Sequence, residues 1–237
     1  MNAFERRSGD LEECVDDLAT LPSSVRALPP SFFARPADQV AADLVGKIFW
    51  REGVGGGRLV EVEAYLAEGD PACHAARGKT RRNASLFGPP GYLYVYIGYG
   101  IHHLLNVSTE REGRGTGVLL RALEPLLGVE VLRRNRGGGG DGPPDRLLAS
   151  GPGRLAQALG VDMSHNGLPL GPESGFWICD DGTVPPVEQT PRIGVGGGED
   201  LSLRYILPGS RFLSRAPRHG RPVGRGSDQI ELREAAE

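Results

Sequence analysis

The chain has 237 residues, 39% apolar and 24% charged, the ordinary balance of a globular protein able to bury a sizeable core. A formal net charge of −3 excludes the strong basic excess by which many nucleic-acid-binding domains show themselves, and no run approaches the roughly 20 apolar residues of a membrane span. The length fits one domain, and 36 glycines with 19 prolines exclude an architecture of long helices.

Residues 1–30 carry six acids against three arginines and end in "RALPP", which reads as a flexible acidic leader and linker. Acids stand where a secretory leader would carry a basic head, and the three cysteines form no C-x-x-C pair, so a cytoplasmic protein is expected. "PADQVAADLVGKIFW" places Val40, Leu44 and Val45 at helical spacing; Gly46 falls where a helix-closing glycine belongs, and a strand should follow. In "RLVEVEAYL" Val60, Val62, Ala64 and Leu66 take one face of a strand, while Glu61, Glu63 and Tyr65 take the other. On the pattern alone that polar face meets either water or a ligand.

Residues 71–109 hold no Asp or Glu, and Arg77, Lys79, Arg81 and Arg82 give them a charge of +4. Within them "GYLYVYIGYG" contains four of the six tyrosines. Leu93, Val95 and Ile97 alternate with Tyr92, Tyr94 and Tyr96, a strand with two unlike faces, and "IHHLLNVS" supplies a return strand around Gly98 and Gly100. Tyr99 then sits at the hairpin tip, where it either docks on the protein or serves something outside, such as a base stack. A second acid-free stretch, residues 211–225, carries five arginines. The two basic patches suit a phosphate backbone, or else form a solvated face and a basic tail.

"RNRGGGGDGPPDR", residues 134–146, predicts a flexible loop between two helical stretches, and Ser150 is expected to cap a helix in "SGPGRLAQALG" that Gly160 closes. His102 and His103 have no third ligand at a recognised spacing, so they are read as hairpin packing and no metal is expected. Cys73, beside His74, is read as a small buried residue rather than a nucleophile.

Six segments in this order, "EVEAYL", "DPACHAARGKTRRN", "FGPPGYLYVYIGYGIHHLLN", "GVLLRALEP", "SGPGRLAQALG" and "RIGVG", resemble the alkyladenine (3-methyladenine) DNA glycosylase family over residues 44–213. The resemblance implies a mixed α+β fold over residues 31–215, a single domain with a curved, mainly antiparallel sheet, a protruding hairpin and peripheral helices, followed by a flexible tail at 216–237. It implies a monofunctional hydrolase that flips alkylated or deaminated purines out of double-stranded DNA and cleaves the N-glycosidic bond in base-excision repair. The implied enzyme is a monomer without cofactor, using a catalytic water. Glu63 matches the general base, Tyr65, His74 and Tyr96 the residues lining the pocket, and Tyr99 the intercalating tyrosine. Asn106 matches an amide that screens purines, and Arg121 a guanidinium that brackets the base and nearby backbone. The basic segment adds Arg77, Arg81 and Arg82 as DNA contacts. A non-catalytic single-strand binder using Tyr94, Tyr96 and Tyr99 as a stacking platform is the alternative. Glycoside hydrolysis by Glu61 and Glu63 fits less well, because neighbours at i and i+2 lie on one side of a substrate.

Overall fold

The computed structural model describes residues 25–98, 100–137, 142–217 and 221–224. Among them ten strands join in one antiparallel sheet, β1 (Arg26–Ala27), β2 (Ile48–Arg51), β3 (Gly55–Tyr65), β4 (Leu93–Gly98), β5 (His102–Thr109), β6 (Thr116–Leu127), β7 (Phe176–Asp180), β8 (Glu188–Thr190), β9 (Arg204–Ile206) and β10 (Arg221–Pro222). The main path runs β1-β7-β2-β3-β6-β5-β4, and β9, β8 and β10 branch from the far half of β3. The fold is the expected single α+β domain with a curved antiparallel sheet and short peripheral helices.

The centre of the sheet is β3, flanked by β6 along its length, by β2 near its start and by β9 over Glu61–Glu63. β2 and β6 flank its first residues so closely that a Cβ on Gly57 would lie 1.8 Å from the Glu124 carbonyl oxygen, which only glycine avoids. Register shifts between Leu59 and Val62 bend the strand and send Glu61 and Glu63 to the face opposite Val60 and Val62.

Val60, Val62, Ala64, Leu93, Val95, Leu105, Val107, Val118 and Leu120 fill one face and are fully buried. Helices α1 (Pro30–Phe33) and α2 (Ala37–Leu44) precede β2, and α2 packs on this core through Val40, Ala41 and Leu44. Gly46 adopts φ +94°, the left-handed turn that ends α2 and starts β2 as its sequence predicts. Helices α3 (Val129–Asn135) and α5 (Pro152–Ala158) add Leu132, Leu155, Ala156 and Ala158 to the same core, and α4 (Asp145–Leu148) lies between them in the chain.

Three boundaries differ from the sequence reading. Arg26–Ala27 pairs with β7, so residues 25–30 belong to the sheet edge and the first helix rather than to the leader, which otherwise lies outside the described residues. Arg221–Pro222 pairs with β8, so part of the tail is also a strand. Ser150 does not cap α5: Gly151 holds the cap position, and the Ser150 hydroxyl accepts from Arg154 instead. The glycine-rich loop does join two helices, with residues 138–141 outside the described set.

Candidate active site

One row of cross-strand partners crosses four strands, Glu63 on β3 opposite Leu119 on β6, Leu119 opposite Asn106 on β5, and Asn106 opposite Tyr94 on β4. Because side chains alternate, this row and its neighbours two residues away (Tyr65, Gly117, Arg121, Leu104 and Tyr96) project from the face opposite the core. The period-2 pattern of "VEVEAY" and "YLYVYI" thus becomes one surface holding carboxylates, aromatics, an amide and a guanidinium.

Two cavities open on that surface. A cavity of about 220 Å³ is lined by Tyr65, His74, Leu86, Tyr94, Tyr96, Asn106, Gly117 and the 194–196 backbone. A second, about 260 Å³, shares Tyr65, His74, Tyr96 and Gly194 and adds Arg82, Leu104, Leu119, Arg121, Pro152 and Ile193. Tyr94 and Tyr96 stack at 5.4 Å and 28°, and the His74 ring meets Tyr96 edge-on at 4.5 Å. His74 Nδ1 lies 2.8 Å from the Tyr94 hydroxyl. Desolvation, helped by nearby Arg82, holds the His74 pKa below its ordinary value, and burial raises that of Tyr94, so both changes favour the uncharged forms of this hydrogen-bonded pair.

The carboxylates lie beneath these walls. Glu63 is fully buried; its Oε1 accepts from the Ile193 backbone N–H at 2.8 Å, and its Oε2 from Arg121 Nη1 and the Tyr65 hydroxyl, both at 3.1 Å. Burial, then Glu63 itself, pushes the Tyr65 phenol pKa up, which keeps its proton available for this bond. Glu61 accepts from Arg121 Nε at 2.7 Å, Arg204 Nε at 3.0 Å, and the Ser214 N–H and hydroxyl at 2.6 and 2.7 Å. Burial alone would raise the Glu61 pKa, but the two arginines and these hydrogen bonds outweigh it and lower it. Two carboxylates and two guanidiniums balance in charge, and removing one member of such a buried set costs about 3–5 kcal/mol.

Asp70 and Arg192 form a second buried pair at 2.6 and 2.7 Å, with the Arg192 guanidinium 4.6 Å from the Tyr65 ring centroid. Asn83 ties down the loop that carries His74, donating to the His74 and Gly78 carbonyls and accepting from Thr80. Cys73 is buried, its thiol pushed up to about 11 mainly by burial, which suits a packing role.

The structure therefore gathers Tyr65, His74, Tyr96, Asn106 and Arg121 around one cleft with Glu63 directly behind them. Arg82 lines the second cavity and donates to the Ile97 carbonyl, while Arg77 and Arg81 are exposed on the adjacent loop and line neither cavity. Tyr99 lies outside the described residues. Among the described residues no group of three His, Cys, Asp or Glu is arranged to hold a metal, and no helix is long and apolar enough to cross a membrane. The sequence reading did not assign roles to Asp70, Asn83, Arg192 or Arg204. Asp70 and Asn83 are the first and last residues of "DPACHAARGKTRRN" and Arg192 opens "RIGVG", whereas Arg204 gives no local signal.

The family model of methylpurine-DNA glycosylase (MPG) matches residues 31–211. The chain belongs to this family. It is a DNA glycosylase, a hydrolase of N-glycosyl bonds acting in DNA repair, and this settles against the non-catalytic binder. Among curated relatives, proteins named "Putative 3-methyladenine DNA glycosylase" are 49% identical over 193 residues in Burkholderia lata, spanning 79% of this chain and 90% of that protein. The corresponding protein of Koribacter versatilis is 50% identical over 195 residues, 79% of this chain and 92% of its own. That of Chlorobaculum tepidum is 42% identical over 197 residues, 81% and 92%.

Proposed function

We propose that this glycosylase excises alkylated or deaminated purines, 3-methyladenine and hypoxanthine among them, from double-stranded DNA by extracting the base into the aromatic cavity. The observation that carries this reading is Glu63, an ion-paired carboxylate whose three partners, Tyr65, Arg121 and Ile193, all line the second cavity. The relatives' name supplies 3-methyladenine as a substrate class.

Extraction from the stack costs a few kcal/mol, and stacking on an aromatic wall recovers about 1–3 kcal/mol per base. Tyr65, His74 and Tyr96 are the rings that would hold the base, with Asn106 at its edge and Arg121 beside the sugar and backbone. Arg82 and the exposed Arg77 and Arg81 face the phosphates, and Tyr99 fills the gap left in the duplex.

Bond cleavage then needs a water. As the C1′–N bond breaks, its electron pair leaves with the base and positive charge grows on the sugar. Glu63 stabilises that charge and takes the proton of the water whose oxygen bonds to C1′. A purine alkylated at N3 or N7 is already cationic and departs neutral, whereas neutral hypoxanthine departs with that pair as an anion, which takes a proton from solvent. The water must reach the carboxylate at Oε2, where the arriving nucleotide displaces the Tyr65 and Arg121 side chains, while the Ile193 N–H keeps its hold on Oε1. Since the nucleophile is water rather than an amine, no lyase step follows, and neither metal nor cofactor is called for. The working unit is the monomer, because every named group comes from one chain. Base release from duplexes bearing one defined lesion, compared between the parent and Glu63→Gln, tests the reading: the variant must bind lesion DNA without releasing base.

A further inference from the structure

Tyr65 lines both cavities, yet one face of its ring is taken. The Arg192 guanidinium lies 4.6 Å from the ring centroid, lines neither cavity, and has no exposed side-chain surface. It covers the ring from behind. A guanidinium cannot shed its charge in a protein, so an isolated Arg192 would put a permanent cation one ring away from any base stacked on the open face. With a stacking contact of about 3.5 Å, base and guanidinium would stand about 8 Å apart, where like charges interact appreciably even at an effective dielectric constant of about 20.

Asp70 changes that field. Both its oxygens engage Arg192, at 2.6 and 2.7 Å, and its side chain is likewise unexposed. It is fixed in place by the Leu66 and Ala72 backbone N–H groups at 3.0 and 3.1 Å. Burial would raise the Asp70 pKa, but the Arg192 and backbone hydrogen bonds lower it, which keeps the carboxylate charged.

We propose that Asp70 is a specificity-determining residue: by neutralising Arg192 behind the Tyr65 ring, it keeps that wall receptive to positively charged purines. The inference rests on the proposed stacking of the base on Tyr65. A cationic base is attracted to the electron-rich ring face, and an unneutralised guanidinium on the other face would oppose this attraction. A neutral base is nearly indifferent to the change. Asp70 touches no reacting atom and acts through Arg192 and Tyr65.

The test is the ratio of single-turnover base release from duplexes containing one 7-methylguanine, which is cationic, or one hypoxanthine, which is neutral. Asp70→Asn should lower that ratio on the order of tenfold, since Arg192 keeps its charge, and Arg192→Lys should leave it near the parental value. The double variant Asp70→Asn with Arg192→Gln is neutral again, and its ratio should return to within about twofold of the parent's. General structural damage would accumulate in the double variant instead. Where Asp70→Asn fails to fold, as judged by circular dichroism, Arg192→Gln alone carries the test with the opposite sign, a raised ratio. A folded Asp70→Asn with an unchanged ratio, or a double variant further from the parent than the single one, overturns the inference. Tyr65→Ala separates the two levels: if it retains full activity the stacking reading fails, and if it is slow while the ratio ignores Asp70 only the present inference fails.

Discussion

The backbone N–H of Ile193 donates to Oε1 of Glu63 at 2.8 Å, across 130 residues of chain. A main-chain donor cannot rotate away as a side chain can, so it fixes the plane of the carboxylate while Oε2 takes Arg121 and Tyr65. The loop that continues from Ile193 through Gly194 forms part of the wall of the aromatic cavity, so that wall and the carboxylate are set by one piece of backbone.

Asn106 stands opposite both Tyr94 and Leu119 in the sheet, and its amide Nδ2 donates to the Tyr94 carbonyl at 3.1 Å. Stacking does not distinguish purine edges, so the role proposed for this buried residue is rejection of normal guanine. Asn106→Ser removes bulk near the guanine 2-amino group and should raise guanine release relative to hypoxanthine by about tenfold or more, the effect of a change of about 1–3 kcal/mol. Release measured on matched duplexes gives the ratio. Equal slowing of both substrates would mean that Asn106 supports the wall without selecting what enters.

Much of this surface was legible in the sequence because a strand's two-residue period is local: Glu61, Glu63 and Tyr65, and Tyr94 with Tyr96, share faces as their spacing requires. The same phase would have placed Tyr94 in the wall beside Tyr96. What the period cannot show is which strands become neighbours, so the row from Glu63 to Tyr94 emerges only from pairing between distant segments. Nor does alternation of charged with apolar residues say what covers the charged face. Here Arg121, Arg204 and Ser214 bury it, and all three come from elsewhere in the chain. Ser150 failed as a cap because Gly151 takes the cap position with φ +126°.

Acid should unfold this protein through the same carboxylates. Glu61, Asp70 and Asp181 are all held below ordinary carboxylate values by arginines and hydrogen bonds that outweigh their burial. Between the lowered folded values and the ordinary unfolded ones, the unfolded chain binds more protons; the stabilisation is complete above about pH 4.5 and is lost as pH falls below it. Melting temperature should stay level from neutral pH to about pH 5 and drop steeply below about pH 4. Glu61→Gln should melt lower at neutral pH and show a shallower acid slope. A parent melting temperature unchanged at pH 3 would contradict this.

Tyr99 stands between Gly98 and Gly100 in the link from β4 to β5. Tyr99→Ser should slow release from duplex DNA at least about tenfold more than from single strands, where no stack must be held open, since each aromatic contact with a base is worth about 1–3 kcal/mol. Equal losses on the two substrates would make Tyr99 a packing residue.

Chelation gives a separate check on the water-based mechanism. EDTA should leave base release unchanged, because the carboxylate and its water supply the proton acceptor and nucleophile without a Lewis acid. Loss of activity that zinc or magnesium restores would require a different mechanism.

The central claim, that Glu63 activates the hydrolytic water while the aromatic cavity holds the base independently of it, is tested most directly by Glu63→Gln in two parallel measurements, lesion-DNA affinity and the single-turnover rate of base release. The amide keeps the shape and loses the proton acceptor, so affinity should stay within about threefold of the parent's while release slows by about 10²–10⁴-fold or more. A variant that released base at the parental rate would contradict the assignment of Glu63, whatever its affinity.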